Sequence, residues 1–151
     1  MSLKDMFIST KRAKIQRLTL LRDRFVENIP DAQFKYDKYV TKYDAKHGCG
    51  TICCIVGWLP EIFPTIFKWA QVGVNYVVKI RQAPNYDFHR HVQRFFGINA
   101  NVYGYIFEGR ELIDKEGRVL QPAVVNMRKV SKKVAVRRMN RAIELIQSDI
   151  L

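Results

Sequence analysis

Between Arg128 and Arg141 the chain places seven positive charges and no acid in fourteen residues. The apolar residues that run through and beyond this stretch, Val134, Met139, Ala142, Ile143, Ile146 and Ile150, fall on one side of a helical wheel. A helix lays the two sets on opposite faces, so the pattern predicts an amphipathic helix from Ser131, a good N-cap residue, to about Ser148. Lys133, Arg137 and Arg141 then form one i, i+4 row with Arg138 beside it. Such a row can follow a phosphate backbone, although a basic face opposite a core stripe is also an ordinary solvated surface. Two further facts tilt toward binding. The first helix is basic as well, and the whole chain of 151 residues carries 26 Lys+Arg against 14 Asp+Glu, a formal charge of +12.

That charge favours anionic partners, namely nucleic acid, an acidic protein face or anionic lipid, and disfavours a nucleic-acid mimic. A hydrophobic fraction of 48% with 12% aromatics is enough to bury one core and excludes a disordered chain. The length suits a single domain over residues 1–151, and no linker or internal repeat divides it. Cys49, Cys53 and Cys54 are odd in number and clustered, unlike a disulfide framework, so a reducing, cytoplasmic setting is expected. The most apolar stretch, Ile52 to Leu59, has eight residues, whereas a membrane span needs about 20. No membrane association is expected.

The coarse reading is mainly α, a single compact helical domain with a small β-hairpin. The first helix is read from about Leu3 to Asn28, with Met6, Phe7, Ile15, Leu18, Leu20, Leu21 and Phe25 on its apolar face and Lys11, Arg12, Lys14, Arg17, Arg22 and Arg24 opposite. Thr51 is a plausible N-cap for a short buried helix that Pro60 limits, and Gly57 within it allows close packing. Thr65 to Val78 is ambiguous between helix and strand and is read as helix. Phe88, Val92, Phe95 and Phe96 predict a helix stopped by Gly97, and Asn99 opens a second helix through Phe107. Leu112–Ile113 and Val119–Leu120, separated by the Asp114–Gly117 turn, read as the hairpin.

Cys49, Gly50, Thr51, Cys53, Gly57 and Trp58 compose a Cys-Gly-Thr-x-x-Cys-x-x-Gly-Trp motif. With Phe34 before it and Phe96, Gly97, Ile98, Ile106, Phe107 and Ser131 after it, the order of segments resembles that of small proteins of bacteria and tailed phages. The resemblance covers most of the chain and implies a mostly helical, phage-linked domain in which the motif is structural. It supplies no catalytic residue. This chain departs from the pattern at the terminal helix, which opens with Lys132 and Lys133 rather than acids. Positive charge there opposes the helix dipole, so these lysines are expected to face something anionic.

Other constellations have plainer readings. His47, Cys49 and Cys53 with His89 or His91 could give zinc four N/S ligands, but the spacing is poor and buried packing cysteines explain it better. Cys49 and His47 could form a nucleophile and base, but such dyads are assembled across a fold rather than two residues apart. Glu108, Glu111, Asp114 and Glu116 surround a turn, where carboxylates are ordinary. Asp87 to Phe107 could be a helix-turn-helix exposing Asn99, Asn101 and Tyr103, but its second helix lacks basic residues and packing is preferred. Tyr36, Tyr39 and Tyr43, interleaved with lysines, suit base stacking, a protein interface or an edge of the core.

The expectation is therefore a noncatalytic accessory protein of phage type. It binds an anionic partner, nucleic acid foremost, through Arg128, Lys129, Lys132, Lys133, Arg137, Arg138 and Arg141, assisted by Lys11, Arg12 and Lys14. No cofactor or metal is called for. The alternative is a protein-interaction module that inhibits or redirects a host defence or transcription enzyme by engaging an acidic surface.

Overall fold

A computed structural model describes residues 6–29, 55–72, 75–81, 88–126 and 130–151. Thr10 decides where the first helix begins, because its hydroxyl accepts from the Ala13 amide at 3.2 Å and holds the chain extended there. Helix α1 spans Lys11–Asn28, shorter than the expected start near Leu3. Ahead of it the Ile8 amide donates to the Arg94 carbonyl at 3.2 Å, so Phe7 and Ile8 run beside a later helix rather than continuing α1. Helix α2 covers Ile55–Ile62 with Pro60 inside it, which corrects Pro60 as its limit. The missing donor costs one bond, and burial of Leu59, Ile62 and Phe63 offsets it. The helix ends just before Pro64, where the residue ahead of a proline is pushed out of the α region.

Two strands follow where a helix was expected. Strands β1 (Phe67–Val72) and β2 (Asn75–Ile80) pair antiparallel, with Phe67 opposite Ile80 and Trp69 opposite Val78. Phe67, Val78 and Ile80 are buried, and Lys79, opposite Lys68 on the other face, is buried as well. Pairing with a partner strand, together with β-branched and aromatic residues, outweighs the helical reading.

Helices α3 (Phe88–Phe96) and α4 (Ala100–Phe107) meet as expected from their caps. Asn99 accepts from the Val102 amide at 2.9 Å, and Gly97 takes φ +66° so that Ile98 donates back to the Gln93 carbonyl at 2.9 Å. Strands β3 (Leu112–Ile113) and β4 (Val119–Gln121) form the second pair. Asp114 closes their turn by accepting from the amides of Glu116 and Arg118 and from the Arg118 side chain. Helix α5 spans Lys132–Gln147. Ser131 occupies its N-cap position in extended conformation, without a side-chain capping bond. The chain is thus mainly helical, with two small antiparallel strand pairs.

The two long helices pack against each other in opposite directions. Lys11 at the start of α1 pairs with Asp149 beyond the end of α5 at 3.0 Å, and Lys132 at the start of α5 donates to the Val26 carbonyl near the end of α1 at 2.7 Å. Between them Leu18, Leu21, Phe25, Ala135, Met139, Ala142 and Ile146 are buried. A ring cluster continues this core, with Phe63, Phe67 and Phe96 each edge-on to Phe95 at 5.0–5.4 Å between centroids.

Gly97 and Gly117 both have positive φ, but only Gly97 is crowded. A Cβ there would lie 2.9 Å from the Ile8 carbonyl oxygen, whereas one at Gly117 meets nothing within 4 Å. Gly97→Ala should therefore lower the unfolding free energy by more than about 2 kcal/mol and Gly117→Ala by only about 1 kcal/mol. Urea unfolding measures both, and equal losses would contradict the role of the Ile8 contact. The Arg118 amide, aided by the Arg118 side chain and the Glu116 amide, holds the Asp114 carboxyl below the usual carboxylate range against the opposing effect of burial. Its ionised form hence stabilises the turn above a pH of about 4, and that contribution is lost as pH falls through the lowered native value. The Arg118 amide resonance should titrate below pH about 4 and cease to do so in Asp114→Asn; a transition above that pH would contradict it.

Candidate anionic-partner interface

Helix α5 sorts its cations by their position around the helix axis. Lys133 and Arg137 are exposed, with Arg141 next in the same row at a side-chain exposure of 43%. From the first to the last is eight steps along the chain, roughly 12 Å of helix at 1.5 Å per residue. Arg141 pairs with Glu144 at 3.2 Å on the surface, a contact that contributes little in water.

Lys132 and Arg138 have a different fate, which corrects their expected place on the open face. Lys132 is 9% exposed, bonded to the Val26 carbonyl and 5.8 Å from the centroid of the Phe25 ring. The anionic feature that it meets is internal: the carbonyl end of α1, where a helix dipole is negative. Arg138 is 7% exposed and donates to the carbonyls of Tyr105 at 2.9 Å, Pro122 at 3.2 Å and Arg110. Its guanidinium also lies 3.9 Å from the Tyr105 ring centroid. Ile150, expected in the buried stripe, is 43% exposed, whereas Leu145 is buried.

The basic face of α1 is likewise partly turned inward. Arg17 donates to the carbonyls of Met6 and Phe95, the latter at 2.6 Å, and Arg24 to that of Ile62 at 3.0 Å. Arg22 bonds the Asn140 side chain at 2.9 Å. Burial lowers the Arg17 pKa from its ordinary value. Arg12 remains exposed, Lys11 is tied to Asp149, and the Lys14 stem lies against Gly97 beside a cavity of about 60 Å³. Because the helices are antiparallel, Lys11, Arg12 and Lys14 sit at the opposite end of the pair from Lys133, roughly 20 Å away at 1.5 Å per residue. Arg141, at the other end of the row, stands only eight residues before Asp149, the partner of Lys11, about 12 Å along the axis. Arg128 and Lys129 lie outside the described residues.

A cleft of about 520 Å³ borders the exposed row. Arg137, Arg141, Val130 and Val134 line one side, and the segment Gln121 to Asn126 lines the other. Val125 within that segment is fully exposed. Tyr105 and Arg138, both buried, close its inner end. Burial pushes the Tyr105 phenol up, against the opposing charges of Arg138 and Arg141, so the phenol stays neutral near neutral pH. Sequence reasoning missed this cleft. Its one signal was the apolar run Pro122-Ala123-Val124-Val125 placed outside any helix or strand.

In the α3–α4 unit Asn99 is a cap, the Asn101 amide is bonded to both backbone groups of Ile113, and Tyr103 is buried against His89. The residues that a helix-turn-helix would direct at bases are thus spent within the fold. His91 stacks on Phe7. Among the described residues no group of His, Cys, Asp and Glu could hold a metal ion, and no helix is long and apolar enough to cross a membrane. Gly57 and Trp58 are buried in α2, whereas Cys49, Gly50, Thr51 and Cys53, with His47 and the Tyr36–Tyr43 segment, lie outside the described residues. Compared with protein-family models, curated proteins and solved structures, the chain matches none.

Removing Arg138 strands the buried carbonyl of Tyr105, worth about 1–3 kcal/mol, and takes a donor from the part-buried carbonyls of Arg110 and Pro122. Arg138→Ala should therefore cost at least 2–3 kcal/mol, about the scale of one or two such groups, while Arg137→Ala stays within about 0.5 kcal/mol of the parent. Chemical denaturation of the two variants distinguishes them, and similar midpoints would contradict the inward role of Arg138.

Proposed function

We propose that this protein is a noncatalytic accessory protein of phage type that binds an anionic partner, nucleic acid foremost, through the exposed row Lys133, Arg137 and Arg141. The observation that carries the reading is the row itself. Its three cations lie on one face of a helix whose other side is core, and Lys133 and Arg137 have no ion-pair partner among the described residues. Phosphates placed along the row would release counterions, which gives affinity without sequence readout. Arg12 and its neighbours would add a contact beyond the Arg141 end of the row. The alternative, an acidic face on a host protein, is favoured by the apolar cleft beside the row, since protein interfaces combine apolar anchors with charged rims.

Three phosphate contacts predict that log K falls with log salt at a slope of about −2 to −3. The triple variant Lys133→Glu, Arg137→Glu, Arg141→Glu should remove that binding while leaving thermal unfolding nearly unchanged. Fluorescence anisotropy with labelled oligonucleotides checks both, and a flat salt response or an unaffected triple variant would contradict the reading. Capture of a stoichiometric protein from nuclease-treated lysate that is lost in the same variant would favour the alternative.

A further inference from the structure

The cleft beside the row differs from the row in chemistry, and phosphates alone do not use it. Its volume of about 520 Å³ falls in the range of sites that enclose small organic groups. Aliphatic side chains line it from both bordering segments, Pro122 and Val124 on one and Val130 and Val134 on the other. The side-chain amide of Gln121 also lines it, while no acidic residue does among the described residues. We propose that the cleft seats one unstacked base of a single-stranded nucleic acid, with its flanking phosphates on Arg137 and Arg141; this rests on the nucleic-acid reading above.

A base has two apolar faces and an edge of donors and acceptors. Proteins that take a base out of its stack hold those faces between aromatic or apolar side chains and bond the edge. The valines and Pro122 match the faces, and the Gln121 amide, both donor and acceptor, matches edges of more than one base. An aliphatic peptide side chain would fill the same walls but leave the Gln121 amide without a role. Arg137 and Arg141 lie one helical turn apart on the same rim, so a strand entering along the row can turn a base inward without leaving its phosphate contacts. A duplex keeps its bases paired, and its binding would stop at the row.

The test uses the full chain and four labelled probes of twelve nucleotides or pairs: oligothymidylate, oligouridylate, an abasic strand of equal charge, and a duplex. At least one of the unpaired probes with bases should bind about fivefold or more tighter than the abasic strand, and the tighter of the two identifies DNA or RNA as the source. Ala123→Leu, at an exposed position, and Val134→Asn should erase that preference without altering the salt slope on the abasic strand, with circular dichroism verifying that each folds. Equal binding of abasic and base-bearing strands would overturn base seating and leave the nucleic-acid reading standing. Absence of salt-dependent binding to every probe would overturn both. Displacement of the oligonucleotide by a peptide of alternating Glu and Leu, at lower concentration than by unlabelled oligothymidylate, would assign the cleft to a protein partner and overturn the proposal.

Discussion

Cationic side chains bonded to backbone carbonyls hold the elements of this fold together. Arg138 joins α5 to α4 and to the chain on both sides of the β3–β4 hairpin, Lys132 joins α5 to the end of α1, and Arg17 and Arg24 join α1 to α3 and α2. Each carbonyl carries only a partial negative charge, so these bonds neutralise nothing formally. They do satisfy acceptors at helix ends and in loops that would otherwise be buried without partners. A chain with 26 basic and 14 acidic residues has few carboxylates to pair with its arginines, and here carbonyls take their place.

That arrangement divides the positive charge by direction. Inward cations stack on Phe95, Phe63, Phe25 and Tyr105 as well as bonding carbonyls, so they serve as packing groups as much as charges. Outward cations include the row of α5 and Arg12, together with exposed residues of other elements such as Arg81, Arg90 and Arg118. The same Arg138 that anchors the segment after β4 closes the inner end of the cleft next to the row. The packing device and the candidate interface therefore share a wall, and the row is presented by a helix fixed on its opposite side.

Much of the helical framework was legible from period and caps. Gly97, Asn99 and the Asp114–Gly117 turn act where their chemistry directs, and α3, α4 and the β3–β4 pair follow from them. Thr65 to Val78 was not legible, because a short apolar run fits either period until a partner strand selects one. Pro60 misled because a proline tells of one lost bond and says nothing of the burial that offsets it. The fates of Lys132 and Arg138 were hidden for a more general reason. Their partners are main-chain carbonyls, which every residue possesses, so no sequence pattern marks them. Arg137 and Arg138 are adjacent and identical in type, yet the 100° between them on the helix separates surface from core.

The division of cations into inward and outward sets is the central claim, and the Nε–H signals of isotopically labelled arginines observe it directly. During titration with oligothymidylate, the account predicts that Arg137 and Arg141 shift while Arg138, bonded through Nε to the Tyr105 carbonyl, stays in place and exchanges slowly with solvent. An Arg138 signal that exchanges rapidly and moves with the ligand as far as Arg137 would contradict it.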